Sequence, residues 1–190
     1  MTKELILVTG GVRSGKSLFA EKWVKNSGKE VIYLATAQCK DQEMEQRIKL
    51  HQLRRPDHWV TIEEPNDIPS KLIQITEGQI ILIDCLTIYL TNHLLKLVPD
   101  PDQVNNWWEI EGELLSIIDD LVEAAVNCQG DLVIVSNEIG LGLVPPYILG
   151  RVFRDLTGLA NQKLSSQATK VFFVVAGIPL ELKSLAFKDF

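Results

Sequence analysis

Leu5-Ile6-Leu7-Val8-Thr9-Gly10-Gly11-Val12-Arg13-Ser14-Gly15-Lys16-Ser17 decides how this chain is read. The β-type run Leu5–Thr9 leads directly into Gly10–Ser17, which fits the pattern G-x-x-x-x-G-K-[ST]. The spacing suits a polyphosphate. Glycines let successive backbone N–H groups turn inward, Lys16 reaches the β- and γ-phosphates, and the Ser17 hydroxyl is a magnesium ligand. Leu18–Trp23 continues as a helix, whose N-terminus adds partial positive charge. Average residue frequencies would produce the pattern by accident in roughly one chain in a hundred of this length. The flanking strand and helix therefore carry part of the weight against a glycine-rich turn without a ligand. Gly10, Gly11, Val12, Arg13, Ser14, Gly15, Lys16 and Ser17 are thus read as nucleotide-binding, with Lys16 also catalytic.

Outward from this loop, short β-type runs alternate with longer helical ones. Val31–Ala35, Gln79–Asp84, Leu132–Ser136 and Lys170–Val175 read as strands, several of them nearly continuous in apolar residues, as buried parallel strands are. Lys16–Lys25, Gln42–Arg54, Val104–Asn127 and Ile148–Ser165 read as helices. This alternation predicts an α/β domain: a doubly wound, mostly parallel sheet with helices on both faces. A second nucleotide signal lies at Ile80-Ile81-Leu82-Ile83-Asp84, where an apolar strand ends in a carboxylate. A P-loop protein needs such a group on a neighbouring strand to hold the Mg²⁺ shell, so Ser17 and Asp84 are the candidate metal residues. The plain alternative is a strand-end aspartate capping the next turn.

The chain has 190 residues, a formal net charge of −6 and 46% hydrophobic residues, which suits one globular domain with a real core. Pro99-Asp100-Pro101-Asp102 is the clearest break and reads as a loop before the long helix. An acidic average argues against a nucleic-acid or anionic-membrane binder. Cys39, Cys85 and Cys128 are too scattered for a disulfide framework or zinc knuckle and read as small buried hydrophobes. No signal peptide or membrane span is expected, which makes a reducing compartment, by default the cytoplasm, the expected location.

The second unusual segment is Asp41–Pro56. As a helix it sets Arg47, His51 and Arg54 on one face, with acids in the first turn and bases in the last. Pro56 ends the helix at Arg55. One reading is a solvated charged face. The other is a nucleophile, because flanking arginines disfavour the imidazolium and keep His51 neutral near pH 7. A neutral histidine can attack phosphorus and split one transfer into two steps, while the arginines neutralise the transition state. His58 and His93 lack such flanking and read as structural.

With these residues in place, the sequence resembles the bifunctional adenosylcobinamide kinase/adenosylcobinamide-phosphate guanylyltransferase family of cobalamin biosynthesis. The resemblance runs through the loop at Gly10–Ser17, Tyr33–Ala37 and the R-I-x-x-H-x-x-x-R-P-x-x-W stretch from Arg47 to Trp59. It continues through Thr61–Pro65, Asp84–Thr87, Ser136–Pro145, Arg151–Gln162 and Ala176–Pro179. It implies a RecA-like P-loop fold, usually trimeric, over residues 1–183, with Ser184–Phe190 as a tail of no assigned function. It implies phosphorylation of the aminopropanol hydroxyl of adenosylcobinamide by ATP or GTP, then transfer of GMP from GTP to adenosylcobinamide phosphate. In the family GMP passes through a histidine, and His51 is the matching residue. Some relatives carry a second histidine one position earlier, where this chain has Leu50. Gln52, Leu53, Arg54, Arg55, Ala35, Thr36, Ala37, Glu63 and Asp84 match positions that contact GTP in relatives. The alternatives are a kinase of another small molecule without guanylyl transfer, or a nucleotide-dependent switch, which would lack the N-K-x-D signature of regulatory GTPases. Asn137–Pro145, a loop after a strand, is a candidate corrinoid surface, a crossover or a subunit contact. Residues 1–60 carry 11 basic and 7 acidic side chains, against 8 and 18 in the remainder. The acidic average therefore conceals a cationic N-terminal part containing Arg13, Lys16, Arg47, Arg54 and Arg55.

Overall fold

The apolar run that opens the chain forms β1 (Leu5–Gly10), a strand buried along its whole length. This is seen in a computed structural model that describes residues 3–38, 53, 55–104 and 106–187. Gly15, at φ 95, turns the chain into α1 (Lys16–Lys25). The following elements are β2 (Glu30–Ala35), β3 (Val60–Glu63), α2 (Ile68–Leu72), β4 (Gln79–Asp84) and α3 (Leu86–Leu97). A short 3-10 turn at Pro101–Gln103 then leads to α4 (Trp107–Asn127), β5 (Asp131–Val135), α5 (Ile148–Gln167) and β6 (Lys170–Val175). β7 (Ile178–Glu181) and α6 (Leu182–Leu185) end the described chain.

The strands form one sheet in the order β3-β2-β4-β5-β1-β6-β7, parallel throughout except for β7. Alternation along the strands sends side chains to two cores. Ile6, Val8, Tyr33, Leu82 and Val135 pack under α1, while Leu7, Leu34, Ile83 and Ile134 pack under α3, α4 and α5. Burial on both faces is the reason these strands read as unbroken apolar runs. The expected α/β architecture is the one observed.

The differences have local causes. The expected helix at Val104–Asn127 begins at Trp107, because Val104 closes the 3-10 turn and the Asn106 side chain caps Trp108 N–H. β3, α2, α3, β7 and α6 are additional to the elements read from sequence. The α3 sequence follows β4 after a single residue, and its first turn carries the β-branched Thr87 and Ile88 and the aromatic Tyr89, so the strand-like composition runs across the change of structure. β7 folds back on β6 through Ala176 and Gly177, both with positive φ (51 and 81), a two-residue hairpin turn. Pro179 is tolerated in β7 because the strand lies at the sheet edge. Ser184, placed in the tail by sequence, lies in α6 with its N–H bonded to Glu181. Of the expected helix Gln42–Arg54 only Leu53 is among the described residues, in a turn; the rest lies outside them, as does Cys39. Cys85 and Cys128 are buried free thiols, as expected.

Candidate active site at the phosphate-binding loop

β1 ends at the loop because Gly10 must approach β6 closely. A Cβ there would lie 2.5 Å from Val174 O and 2.7 Å from Ser14 Oγ. Arg13 takes a left-handed φ of 57, and Gly15 takes φ 95 where α1 begins. The loop is braced from two sides. Gly177 N–H donates to Ser14 O at 2.8 Å from the β6–β7 turn, and Glu138 N–H donates to Gly10 O at 3.0 Å from the segment after β5. Within this frame Lys16 is buried, its Nζ donating to Gly11 O at 3.1 Å. Burial lowers its pKa below the ordinary lysine value, against the raising influence of Cys85 and Asp84. Ser14 Oγ is buried without a hydrogen-bond partner among the described residues, a hydroxyl left over for a ligand.

Asp84 reaches the same place from β4. The sequence reading put it on a neighbouring strand, yet β5 lies between β4 and β1 in the sheet. The gap is closed by α1: Ser17 Oγ lies 3.5 Å from Asp84 Oδ1. The register sets the other strand-end residues beside it, since Glu63 pairs with Ala35, Ala35 with Asp84, and Asp84 with Val135. One row thus crosses the carboxyl ends of four strands, with Glu63 exposed at its outer end.

Two features of this row were not read from sequence. Tyr33, buried in β2, donates its hydroxyl to Asp84 Oδ2 at 2.8 Å. Burial first, and the Asp84 charge second, push the Tyr33 phenol well above its usual pKa, so it remains a donor. The available signal was an aromatic hydroxyl inside an apolar strand, which requires a partner when buried. Arg55 then stacks its guanidinium over the Tyr33 ring, 3.4 Å from the centroid, with its Nε buried and unpartnered among the described residues. The second feature is Thr87, which holds Asn137 through its N–H and its side-chain amide, both at 3.0 Å.

The remaining candidates have varied placements. Thr36 is wholly buried, exchanging two 2.8 Å hydrogen bonds with Cys85, while its N–H reaches Asp84 O and its carbonyl accepts from Asn92. It ties the ends of β2 and β4 together. Ala35 and Ala37 flank it, half-buried, and Leu53 is exposed. Burial pushes the neighbouring Cys85 thiol up to about 11, keeping it an inert packing group. His93 packs edge-on against Tyr89 and bonds to Asn66 O, a structural histidine as read; His58 is exposed. His51, Gln52, Arg54 and Arg47 lie outside the described residues.

Comparison with known proteins bears on this arrangement. A family model described as cobinamide kinase / cobinamide phosphate guanyltransferase matches residues 6–182. The bifunctional adenosylcobalamin biosynthesis protein CobP of Pseudomonas aeruginosa is 42% identical over 182 residues, covering 93% of this chain and 96% of that protein. The bifunctional adenosylcobalamin biosynthesis protein CobU of Escherichia coli K12 is 38% identical over 181 residues, covering 94% of this chain and 99% of that protein. Among solved structures, an ATPase of a bacterial type III secretion system matches with a TM-score of 0.54 at 11% identity, covering 98% of this chain and 59% of that one. That likeness concerns the fold alone. The length and identity of the match to the first two show that the chain belongs to the cobinamide kinase / cobinamide phosphate guanyltransferase family.

Proposed function

We propose that this chain phosphorylates the aminopropanol hydroxyl of adenosylcobinamide with ATP or GTP, and then transfers GMP from GTP to the phosphate it has made. The observation that carries the reading is the meeting of Ser17 with Asp84 across the strand ends, beside the buried Lys16, in a chain of this family. In the first reaction the substrate hydroxyl oxygen attacks the γ-phosphorus, the nucleoside diphosphate leaves, and the hydroxyl proton is lost. The loop N–H groups and Lys16 hold the triphosphate and stabilise its charge as the bond breaks.

Ser17 and Asp84 are hard oxygen donors set side by side, the type of set that Mg²⁺ uses when phosphates and water complete its shell. Bound there, Mg²⁺ supplies positive charge to the phosphoryl oxygens. Tyr33 orients the Asp84 carboxylate, and Ser17 is oriented by the first turn of α1.

In the second reaction a ring nitrogen of His51 attacks the α-phosphorus of GTP and pyrophosphate leaves. A phosphate oxygen of adenosylcobinamide phosphate then attacks the guanylyl-histidine, releasing adenosylcobinamide-GDP and the free imidazole. Arg55 supports this reading: four residues after His51, it stacks on the tyrosine that touches Asp84. The reading includes a homotrimer acting in the cytoplasm, drawn from the resemblance and composition. No helix among the described residues is long and apolar enough to cross a membrane.

Labelled GTP tests the chemistry. With label at the α-phosphate, acid-labile label accumulates on the protein as pyrophosphate appears, and none accumulates with γ-label. His51→Ala abolishes the covalent label while the kinase reaction persists. Stable α-labelling of that variant would assign the nucleophile elsewhere. Kinase activity with no covalent label in the unaltered protein would leave a kinase alone.

A further inference from the structure

We propose that an apolar rim around the phosphate-binding loop is the docking surface for the corrin macrocycle of adenosylcobinamide, an inference that rests on the function proposed above. β1 lies between β5 and β6 and runs parallel to both, so the segments leaving those strands emerge on the same edge as the loop, one on each side. Both are tied to it by backbone, through Glu138 N–H to Gly10 O and Gly177 N–H to Ser14 O. Each then presents apolar side chains to solvent. On the β5 side Leu141 is 82% exposed, Leu143 97% and Val144 62%; on the β6 side Ile178 is 63% exposed; Val12, in the loop itself, is 79% exposed.

A triphosphate has no use for such a rim, and exposed apolar side chains on both flanks of a binding loop mark an interaction surface. The β5 segment is fixed in place. Glu138 Oε1 accepts from Gly140 N–H at 2.6 Å, and Arg151 Nη1 donates to Pro145 O and Pro146 O at 3.2 and 2.9 Å. A surface held this way loses little freedom when something docks on it. Leu141 is three residues, at most about 11 Å of chain, from Glu138.

The substrate has the matching shape. Its corrin ring is broad, with methyl groups among the amide arms of its periphery, and its reactive hydroxyl lies at the end of a flexible arm. With the ring resting on the rim, the arm enters toward the γ-phosphate near Lys16, and the ring never needs to fit between the strand ends. The competing occupant is a second copy of this chain.

Leu141→Ser/Leu143→Ser and Ile178→Ser remove apolar contact from the two sides without touching the core. Equilibrium dialysis of adenosylcobinamide, read by corrin absorbance, gives affinity without requiring turnover. MgATP affinity is measured by calorimetry and particle mass by light scattering. The double variant should bind adenosylcobinamide about tenfold more weakly or worse, and Ile178→Ser several-fold more weakly. MgATP affinity and particle mass should not change. Unchanged adenosylcobinamide affinity in both variants overturns the proposal. A fall in particle mass alongside the loss also overturns it and makes the rim a contact between copies. If the unaltered protein binds adenosylcobinamide in a rim-dependent way but transfers no phosphoryl group, the proposed function fails and the docking surface stands. If it binds none, both fail.

Discussion

Lys16 shows what a buried charge costs and what it is kept for. Lys16 is buried, and its ammonium donates to a loop carbonyl, Gly11 O. Because burial lowers its pKa in the folded protein, the unfolded chain holds that proton more tightly. The sign follows: in the absence of nucleotide, Lys16 opposes folding at neutral pH, and this opposition fades as pH rises through the lowered pKa toward the ordinary lysine value. Lys16→Met should therefore leave the nucleotide-free protein at least as heat-stable as the unaltered one. The same change should reduce the kinase rate by about 10²–10³-fold, the usual loss on removing one charge-stabilising donor. Thermal unfolding and a coupled ADP assay check the two halves. A destabilised Lys16→Met would mean that the ammonium stabilises the empty loop. Tyr33 poses the opposite case, a neutral donor that positions a charge. Tyr33→Phe deletes the 2.8 Å hydrogen bond to Asp84 Oδ2. On the proposed Mg²⁺ role of Asp84, it should weaken Mg²⁺-dependent activity by about 10–100-fold, as losses of groups that orient a metal ligand do. The deficit should be partly recovered by raising Mg²⁺, a recovery that a mere packing defect would not show.

At the scale of elements, the phosphate-binding loop owes its shape to neighbours more than to its own residues. Gly10 and Gly15 are glycines because β6 and its hairpin turn lie against them: Val174 O would be 2.5 Å from a Cβ on Gly10, and Gly177 Cα 3.2 Å from one on Gly15. Gly10→Ala must push the loop off β6 or displace β6 itself. Backbone shifts of this kind cost about 1–3 kcal/mol, which for a chain of this length lowers Tm by very roughly 2–12 °C. Nucleotide binding should weaken in parallel, measured by calorimetry on the same variant. Gly11→Ala is the control, since a Cβ there meets nothing within 4 Å. If both alanines lower Tm equally, contact with β6 is not the cause. The motif at Gly10–Ser17 was legible because it is contiguous. Its bracing was not, because the residues responsible, Glu138 and Gly177, lie more than 120 residues away and act through backbone atoms that any side chain could carry.

For the whole molecule, the sequence made the sheet legible through its apolar runs and the loop through its spacing, while the order of strands required three dimensions. No pattern in Gln79–Asp84 says that β5 comes between it and β1, nor that Tyr33 would meet Asp84 across the pairing of β2 with β4. The edge strands β3 and β7 were missed because each is only four residues long. That strand order has a thermodynamic consequence. β1 joins the two sides of the sheet, and the cores on both faces are built from the same central strands. The nucleotide loop therefore hangs from the strand on which the cooperative unit depends, and a ligand held there should stabilise all of it. At a free MgATP concentration 100 times Kd, linkage gives about 2.7 kcal/mol, or roughly 5–11 °C in Tm for a chain of this length. Calorimetry should show a single transition that moves upward intact, and hydrogen exchange should slow in β4 and β6 alike. With Lys16→Met the shift should vanish at the same concentration, because the loop then lacks the charge proposed to bind triphosphate. Two separable transitions, only one of them shifted by nucleotide, would show that the β6–β7 edge unfolds apart from the rest and that β1 does not unite the sheet.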